Sequence, residues 1–498
     1  MNLVTKKTFL LFLTFVFIFF LSLQVITDTD FGWHLRVGEY IINTQTIPKK
    51  DLFSFSQSNY PYVYHSWAGE ILVFASYKLL GLYGVSILFS LILTICLFFI
   101  YKITQILSDN KVSYPLLILA VLLASTIAGG RMRVFGLLYL SITYFLFLKF
   151  QKQNSKIIWA MPLVFFLWVN FHGSFILGIV TLLALIVASQ VFAQDKKRQF
   201  KKTRTLLSVS TLSILATLIN PYFLSAWLQA ITMTSNSYLY LSSINLDWQP
   251  LITPGGTGWI LAVIVFAIIF FLFFFKTKIG SLQKFFLLLF SLLSLITSRF
   301  TIALFVFLVP IANQLYLEFK GKLASQILNS ISVRFAVFAL FTVLFLTAAK
   351  NLLEINQAYL SPENYSRFLA TKSTIKFYGP WPYRANLYLE KNLPEKRILN
   401  DANWGNFMIF QNQNRKVFYW GAMDNFIING RSFVLEYLNL IQAAPDWEEK
   451  IERYQIDAVF LPPSFPLIAV LKLKPDWQIV YQDNQAIIFV KNPPTYHP

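Results

Sequence analysis

The chain has 498 residues, of which 56% are hydrophobic, 17% are aromatic and only 13% are charged. Soluble globular domains carry about 25% charged residues, so this composition excludes an ordinary soluble enzyme and indicates a membrane protein. The net charge of +19 would suit a nucleic-acid binder, but residues 351–498 hold 15 basic against 14 acidic residues and the first 350 hold 27 against 9. Because this excess lies between apolar segments, where Lys and Arg orient membrane helices, no nucleic acid is expected as a partner.

Eleven membrane spans are predicted from apolar segments that recur through the first 350 residues. Each segment holds about 15 to 23 residues nearly free of charge, and about 20 apolar residues cross a bilayer as a helix. Lys6 and Lys7 precede the first segment without a small-residue cleavage site, which indicates a retained anchor rather than a signal peptide. The predicted spans are 8–26, 84–101, 113–129, 134–150, 157–171, 174–193, 205–220, 258–275, 283–298, 300–317 and 333–349.

The basic residues predict the orientation of these spans. When sides alternate from a cytoplasmic N-terminus, nineteen Lys and Arg fall in inner loops and eight in outer loops, which is the usual bias of membrane proteins. We therefore expect a multi-pass protein of the cytoplasmic membrane with its N-terminus inside and its C-terminal domain outside. The same alternation places these acids and histidines outside: Asp28, Asp30, Glu39, Asp51, Glu70, Asp247, His34, His65 and His172.

The predicted fold is a polytopic α-helical membrane protein with a C-terminal soluble α/β domain. Residues 1–350 form the transmembrane domain, and its first outer loop, 27–83, is predicted to hold two amphipathic helices on the membrane surface, near 30–43 and 65–80. Residues 351–498 form the extracytoplasmic α/β domain. Its strands are predicted at 397–401, 416–421 and 456–463, its helices at 432–442 and 446–455, and a final hairpin at 478–490.

The stretch TDTDFGWHLRVG, residues 27–38, gathers reactive side chains at the start of the first outer loop. On a helix, Asp30, His34 and Gly38 share one face, which we expect to touch a substrate. A carboxylate there suits a general base toward a hydroxyl group, and Asp28 with Asp30 also offers the oxygens that a divalent cation such as Mg²⁺ or Mn²⁺ prefers. The alternative is that both aspartates only cap the first helical turn. Two acids alone do not establish a metal cofactor.

Three arginines lie in tight turns on the predicted outer side. Arg131 and Arg133 belong to GGRMR between the third and fourth spans, and Arg299 belongs to SRF between the ninth and tenth. Arginine at this boundary runs against the inside bias, and its guanidinium suits phosphate or pyrophosphate oxygens. The alternative is that these side chains reach lipid headgroups. Three arginines on the same side as the acids favour a shared anionic ligand.

Further pocket candidates lie near predicted helix ends. His172 in NFHGSF interrupts a span, and such a break needs protein or a wet cavity beside it, so His172 either steadies a phosphate or acceptor or packs structurally. His65 and Glu70 of HSWAGE and Asp247 of LDWQP complete the set. A zinc site of His34, His65 and His172 is an alternative, although the spacing matches no zinc motif.

These features together resemble the GT-C superfamily of integral-membrane glycosyltransferases. The resemblance rests on a basic anchor, one span, an acidic motif at once in the first outer loop, about ten further spans and an outward soluble tail. The motifs D-x-D-x-x-W-H-x-x-x-G at 28–38, DxFSFS at 51–56, HSWAGE at 65–70 and ILNDANWGNFMIF at 398–410 are similar to those of a bacterial GT-C-like subgroup. The tail departs at 419–426, YWGAMDNF, where that subgroup has an aspartate-glycine-arginine turn.

The resemblance implies transfer of a sugar from a polyprenyl-phosphate carrier, in the lipid bilayer, to a glycan, lipid or protein acceptor on the outer face. It implies Asp30 as the catalytic first-loop acid, since Trp33 and His34 follow it as in the family, with Asp28 as the second candidate. A base at Asp30 and arginines at the departing lipid phosphate would give direct displacement with inversion. The residues expected around the donor are Arg131, Arg133, Arg299, His34 and His172.

Two other functions stay open on the sequence. A ligase or polymerase of lipid-linked glycans would use arginine and histidine more than the acid. A lipid or solute transporter would not be an enzyme; against it, few charged residues lie within the spans and no clear inverted repeat is visible.

Overall fold

Contacts along the chain divide the molecule into two compact units. The computed structural model describes residues 3–28, 30–128, 130–236, 249–252, 258–322, 331–372, 381–412 and 414–492. The first unit, called the helical unit, comprises Met1–Val25, Gly84–Ile231 and Ser242–Glu354. The second, called the mixed unit, comprises Ile26–Tyr83, Thr232–Leu241 and Ile355–Pro498. Residues 27–83 therefore pack with C-terminal residues, whereas the sequence grouped them with the transmembrane domain.

Apolar helices build the helical unit, and a helix lies over each of the eleven predicted spans. The helices that contribute to it are Leu3–Ser22, Trp67–Leu107, Tyr114–Ala128, Val134–Gln153, Met161–Phe171, Phe175–Val191, Lys196–Ala216, Leu224–Asn236, Gly258–Phe274, Ser281–Ile296, Thr301–Lys322 and Ile331–Ala358, with 3-10 turns at Lys156–Ala160 and Ser298–Phe300. Within the described ranges, four helical segments are long and apolar enough to cross a bilayer. They are Trp67–Leu107, Val134–Gln153, Ser298–Lys320 and Phe338–Ala358.

The outward surface of these helices is apolar. Phe12, Val187, Val263 and Phe273 are each more than half exposed. Water disfavours large apolar patches, whereas hydrocarbon accepts them, so this surface suits contact with lipid.

Turns that the sequence assigns to the same side of the membrane contact one another. On the predicted outer side, the Asn170 amide donates to the Ile219 carbonyl at 3.0 Å. On the predicted inner side, the Lys202 ammonium lies 3.5 Å from the Phe150 carbonyl. Each contact joins two turns that the sequence predicts to lie on one side.

The longest helix, Trp67–Leu107, breaks where the predicted surface helix meets the predicted second span. Leu80 and Gly81 leave helical geometry, and Gly81 has φ 59° and ψ −146°. Glycine adopts positive φ without the penalty that a Cβ imposes, so the chain bends at this position. The predicted helix at 65–80 and the predicted span at 84–101 are the two arms of this helix.

The mixed unit is a small α/β assembly, as predicted. Its helices are Phe31–Thr44, Pro362–Lys372, Tyr383–Asn392, Ala402–Gln411, Phe433–Ile441, Trp447–Arg453 and Pro466–Leu471, with a 3-10 turn at Gly421–Asn425. Its strands are β1 (Ile398–Asn400), β2 (Ile427–Ile428), β3 (Arg431–Ser432), β4 (Ala458–Leu461), β5 (Trp477–Gln482) and β6 (Ile487–Lys491). The main sheet has the order β1-β4-β6-β5, in which β1 and β4 are parallel and the other pairs antiparallel. β2 pairs with β3.

The segment 416–421, predicted as a buried strand, is not part of the main sheet. Its backbone pairs with the first outer loop: Val417 N–H donates to the Phe53 carbonyl at 2.9 Å, and Phe55 N–H donates to the Val417 carbonyl at 3.0 Å. On its other side, Phe418 N–H donates to Asn400 Oδ1 at 2.8 Å. The segment is extended and buried as predicted, but because these groups already satisfy its backbone it needs no neighbouring strand.

Asp51 and Trp420 connect the segment 27–83 to the C-terminal residues. Asp51 Oδ1 accepts hydrogen bonds from Phe53 N–H at 2.9 Å and from the Trp420 indole at 3.1 Å. Burial raises the pKa of Asp51, although hydrogen bonds from the Ser54 hydroxyl and from the Phe53 and Ser54 backbone oppose the shift. The fully buried Trp420 ring packs edge-on against Trp33 and Phe53, with ring centroids 5.3 and 5.1 Å away. The DxFSFS motif is thus a docking element.

Two glycines allow the Phe31–Thr44 helix to approach its neighbours. A Cβ on Gly32 would lie 2.0 Å from the Asn406 carbonyl oxygen, and one on Gly38 would lie 2.1 Å from the Glu70 carbonyl oxygen. Both obstacles are backbone atoms, which cannot rotate away.

We expect Gly32→Ala to lower the free energy of unfolding by about 1 to 3 kcal/mol, the usual cost of overpacking a close contact. The thermal unfolding midpoint of the purified protein measures this effect. Gly280→Ala is the matched control, because its Cβ would meet only the Gln283 side chain, at 3.4 Å. Equal midpoints for the two variants would contradict the packing described.

Candidate functional site

Asp30 lies at the start of the Phe31–Thr44 helix but does not cap it. It occupies the N-cap position with φ −75° and ψ −12°, and its side chain makes no capping hydrogen bond. Instead, Asn406 Nδ2 donates to Asp30 Oδ1 at 3.1 Å. The aspartate is partly exposed. The capping role considered from the sequence therefore does not apply to Asp30.

Asp28 shapes the turn that precedes this helix. It is 8% exposed, and its Oδ1 accepts the backbone N–H of Asp30 at 3.3 Å. Its carbonyl accepts the N–H of Phe31 at 3.3 Å. Asp28 thus holds the backbone that carries Asp30.

Asn406, on the Ala402–Gln411 helix, connects Asp30 to a second C-terminal segment. Asn406 Oδ1 accepts the backbone N–H of Gly421 at 2.8 Å. A Cβ on Gly421 would lie 2.3 Å from Asp30 Oδ1. Neither Asn406 nor Gly421 was predicted to belong to the site, because the contact between Asn406 and Asp30 spans 376 residues of sequence; the only signal was their place in the motifs at 398–410 and 419–426.

His34 is buried in a polar pair with Glu70. Its Nδ1 lies 2.8 Å from Glu70 Oε1, and the two residues are 7% and 0% exposed. Four residues further along, Gly38 packs against the Glu70 backbone. Of the face that the sequence predicts to touch a substrate, His34 and Gly38 are therefore covered by a neighbouring helix, whereas Asp30 is partly exposed.

Five of the predicted site residues lie in the mixed unit: Asp28, Asp30, His34, His65 and Glu70. His65, which is partly exposed, precedes the Trp67–Leu107 helix, and its N–H donates to the Val63 carbonyl at 3.0 Å. Asp247 lies outside the described residues.

Arg131, Arg133 and His172 gather at one end of the Val134–Gln153 helix in the helical unit. Arg133 holds the N-cap position, and the Arg131 carbonyl accepts the N–H of Val134 at 3.1 Å. One turn later, a Cβ on Gly136 would lie 3.6 Å from His172 Nδ1. The sequence predicts these residues in separate turns, and in the structure the two turns lie at the same end of the Val134–Gln153 helix.

The tautomer of neutral His172 follows from its hydrogen bonds. Its Nδ1 accepts the backbone N–H of Ser174 at 3.1 Å. The Ser174 hydroxyl, 2.8 Å from the same nitrogen, can donate or accept. Because the backbone N–H can only donate, Nδ1 is assigned as the acceptor and the proton of the neutral imidazole is assigned to Nε2. Nε2 is therefore the atom of His172 that can donate to a ligand.

Arg299 lies in the 3-10 turn Ser298–Phe300, directly before the Thr301–Lys322 helix, and it is exposed. That helix packs on Val134–Gln153, with the Phe307 and Tyr144 ring centroids 4.7 Å apart. Arg299 and Arg133 thus each precede a helix of the same packed pair.

The described residues do not form a ready metal site. No group of three or more His, Cys, Asp or Glu side chains able to hold a metal ion occurs among them, so His34, His65 and His172 do not make a zinc site. Asp28 and Asp30 are two acids without a third, and one oxygen of each already accepts an N–H. Two acids are fewer than the six or more oxygen ligands that Mg²⁺ or Mn²⁺ takes, so within the described residues these two do not make a complete cation site.

Asp401 begins the helix that carries Asn406. It is 3% exposed and accepts the N–H groups of Asn403 and Trp404 at 3.0 and 3.3 Å. Burial raises the pKa of Asp401 to about 6, more than these two donors lower it.

This shift makes part of the stability depend on pH. Between about pH 4 and 6 the unfolded chain releases the Asp401 proton before the folded chain does, so the free energy of unfolding falls by about 3 kcal/mol as pH rises. Asp401→Asn keeps a capping oxygen and removes the proton. We expect the variant to match the wild type near pH 4 and to have the higher thermal midpoint at pH 7. A midpoint difference independent of pH would contradict this assignment.

Comparison with known proteins places this geometry on a known fold. No protein-family model matches the sequence, and no curated protein matches it. Three solved structures that match are the oligosaccharyltransferase AglB from Archaeoglobus fulgidus (12% identity, TM-score 0.52, 92% of this chain and 70% of that chain), ArnT from Cupriavidus metallidurans (11%, 0.51, 97% and 98%) and the arabinofuranosyltransferase AftD from mycobacteria (11%, 0.51, 97% and 39%).

All three are membrane glycosyltransferases of the GT-C superfamily. This chain therefore has the GT-C fold, as the sequence resemblance implied. The AglB structure holds an inhibitory peptide and a dolichol-phosphate, and the ArnT structure holds undecaprenyl phosphate. Another A. fulgidus oligosaccharyltransferase structure is a complex with Zn and sulfate.

Proposed function

We propose that this protein is a glycosyltransferase that moves a sugar from a polyprenyl-phosphate carrier to an acceptor on the outer face of the cytoplasmic membrane. The observation that carries the proposal is Asp30: a partly exposed carboxylate at a helix start, held by Asn406, in a chain of GT-C fold. Lipid phosphates in the AglB and ArnT structures support this class of donor. The N-terminus is inside and the mixed unit outside in this proposal, as the basic residues predict.

In this mechanism Asp30 is the general base. Its carboxylate takes the proton of an acceptor hydroxyl, and the acceptor oxygen attacks the anomeric carbon of the sugar. The bond between that carbon and the phosphate oxygen breaks, so polyprenyl phosphate leaves with the electron pair. A single displacement of this kind inverts the anomeric configuration.

Arg131, Arg133 and Arg299 neutralise the leaving phosphate in this proposal. A guanidinium offers two parallel N–H donors to phosphate oxygens, and these hydrogen bonds strengthen as negative charge develops. His172 offers its Nε2–H to the same phosphate or to the acceptor. The His34 and Glu70 pair acts on the fold instead, because it fixes the Phe31–Thr44 helix that carries Asp30.

A reconstitution experiment separates this function from transport. The purified protein is placed in liposomes that contain a polyprenyl-phosphate sugar labelled on the sugar, with a candidate acceptor outside. The proposal expects covalent transfer of label to the acceptor and an equal amount of free polyprenyl phosphate. Label that crosses the bilayer still attached to its carrier would instead establish a transporter.

A further inference from the structure

We propose that Asn406 is a positioning residue for Asp30, and that the absence of a side chain at Gly421 leaves the space that the Asp30 carboxylate and the Asn406 amide occupy. The C-terminal part of the mixed unit thereby completes the catalytic site. This inference rests on the proposed function, in which Asp30 is the base.

The orientation of the Asn406 amide follows from its partners. Gly421 N–H can only donate, so the amide oxygen must face it, at 2.8 Å. The amide nitrogen then faces Asp30 Oδ1, at 3.1 Å. Asn406 is 1% exposed, so little water competes for either hydrogen bond. One side chain is therefore held at both ends and presents an N–H donor to the carboxylate.

The backbone of Asn406 also touches the helix that Asp30 begins. Its carbonyl oxygen would lie 2.0 Å from a Cβ on Gly32, two residues after Asp30. Main chain and side chain of Asn406 therefore fix both the helix and the carboxylate that precedes it.

Gly421 closes the other side of Asp30. An added Cβ would lie 2.3 Å from Asp30 Oδ1 and 2.8 Å from Asn406 Nδ2. Gly421→Ala therefore pushes on the carboxylate without changing any charge. This gives a second perturbation of Asp30, independent of the amide.

A hydrogen bond from a neutral amide serves a base in two ways. It favours the ionised carboxylate, and it fixes the oxygen that must reach the acceptor proton. A displacement of about 1 Å in a reacting group costs about 100-fold in rate. Removing the donor should therefore lower kcat and leave the KM for the lipid donor almost unchanged.

The isosteric variant Asn406→Asp separates this role from packing. Aspartate keeps the shape and an acceptor for Gly421 N–H, but it sets an oxygen against Asp30 Oδ1. We expect kcat to fall by about 10-fold in Asn406→Ala and Gly421→Ala, and by about 100-fold in Asn406→Asp, with KM within about 2-fold. Asn386→Ala is the matched control, because Asn386 is also fully buried, at 0% exposed, and its amide donates to Gln411, on the helix that carries Asn406, rather than to Asp30. Its kcat per folded molecule should stay within about 3-fold.

These assays use the full chain and include Asp30→Asn. A merely structural Asn406 predicts the opposite order, with Asn406→Asp more active than Asn406→Ala, and that order overturns the inference. Full kcat in both Asn406 variants, with Asp30→Asn inactive, overturns the positioning role of Asn406 and leaves Asp30 as the base. Full kcat in Asp30→Asn removes Asp30 as the base, and the positioning role fails with it.

Discussion

Asp30→Asn is expected to lower the kcat of sugar transfer by about 1,000-fold, because an amide cannot take the acceptor proton and a general base contributes about 100- to 10,000-fold. Asparagine has the shape of aspartate, and its Oδ1 can still accept the hydrogen bond from Asn406. The fold should therefore be retained. The measurement is the initial rate of transfer by purified protein at saturating donor, together with the thermal unfolding midpoint.

Glu39→Gln is the control for this loss of charge. Glu39 lies on the same helix and pairs with Arg36 at 2.5 Å. Its neutralisation should leave kcat within about 3-fold of the wild type, since it touches no reacting group. Equal impairment of the two variants would mean that the charge of the helix, and not the base at Asp30, matters.

Arg133→Ala is expected to weaken binding of polyprenyl phosphate by about 10- to 100-fold, because a hydrogen bond to a charged group contributes about 1.5 to 3 kcal/mol. Arg131→Ala should act in the same direction. Both should raise the KM for the donor, since the phosphate is held before and after the displacement. The measurement is a titration of the purified variants with polyprenyl phosphate in detergent.

Arg204→Ala is the matched control. Arg204 is an exposed arginine on the Lys196–Ala216 helix, and the sequence predicts that it lies on the cytoplasmic side of the membrane, opposite to Arg133. Its affinity for polyprenyl phosphate should not change. Affinity lost equally in both variants would indicate a general effect of charge on the lipid. Activity that survives Asp30→Asn but not Arg133→Ala or His172→Ala would favour a ligase or polymerase of lipid-linked glycans.

The helices were predictable because their signal is local. An apolar run long enough to cross a bilayer is visible in any window that contains it, so every predicted span lies on a helix. The break at Gly81 lies between two predicted helices, because the apolar pattern of each helix is also visible locally. In the mixed unit, the apolar runs at β1, β4 and the final hairpin were recognised, but the partners of 416–421 were not, since Val417 pairs with Phe53, far away in sequence.

The site was predictable only as a set of candidates. Helical periodicity placed Asp30, His34 and Gly38 on one face, but it carries no information on what covers that face. The structure covers His34 and Gly38 with the residues around Glu70 and leaves Asp30 partly exposed. The contact with Asn406 could not be inferred, because no pattern within either segment refers to the other.

The anomeric configuration of the first product tests the central claim most directly. The wild-type protein is incubated with a polyprenyl-phosphate sugar of known configuration, and the linkage formed is read from the coupling constant of its anomeric proton by NMR. A base at Asp30 acting in a single displacement predicts the inverted configuration. A retained configuration would mean a covalent sugar intermediate on the protein and would contradict the role proposed for Asp30.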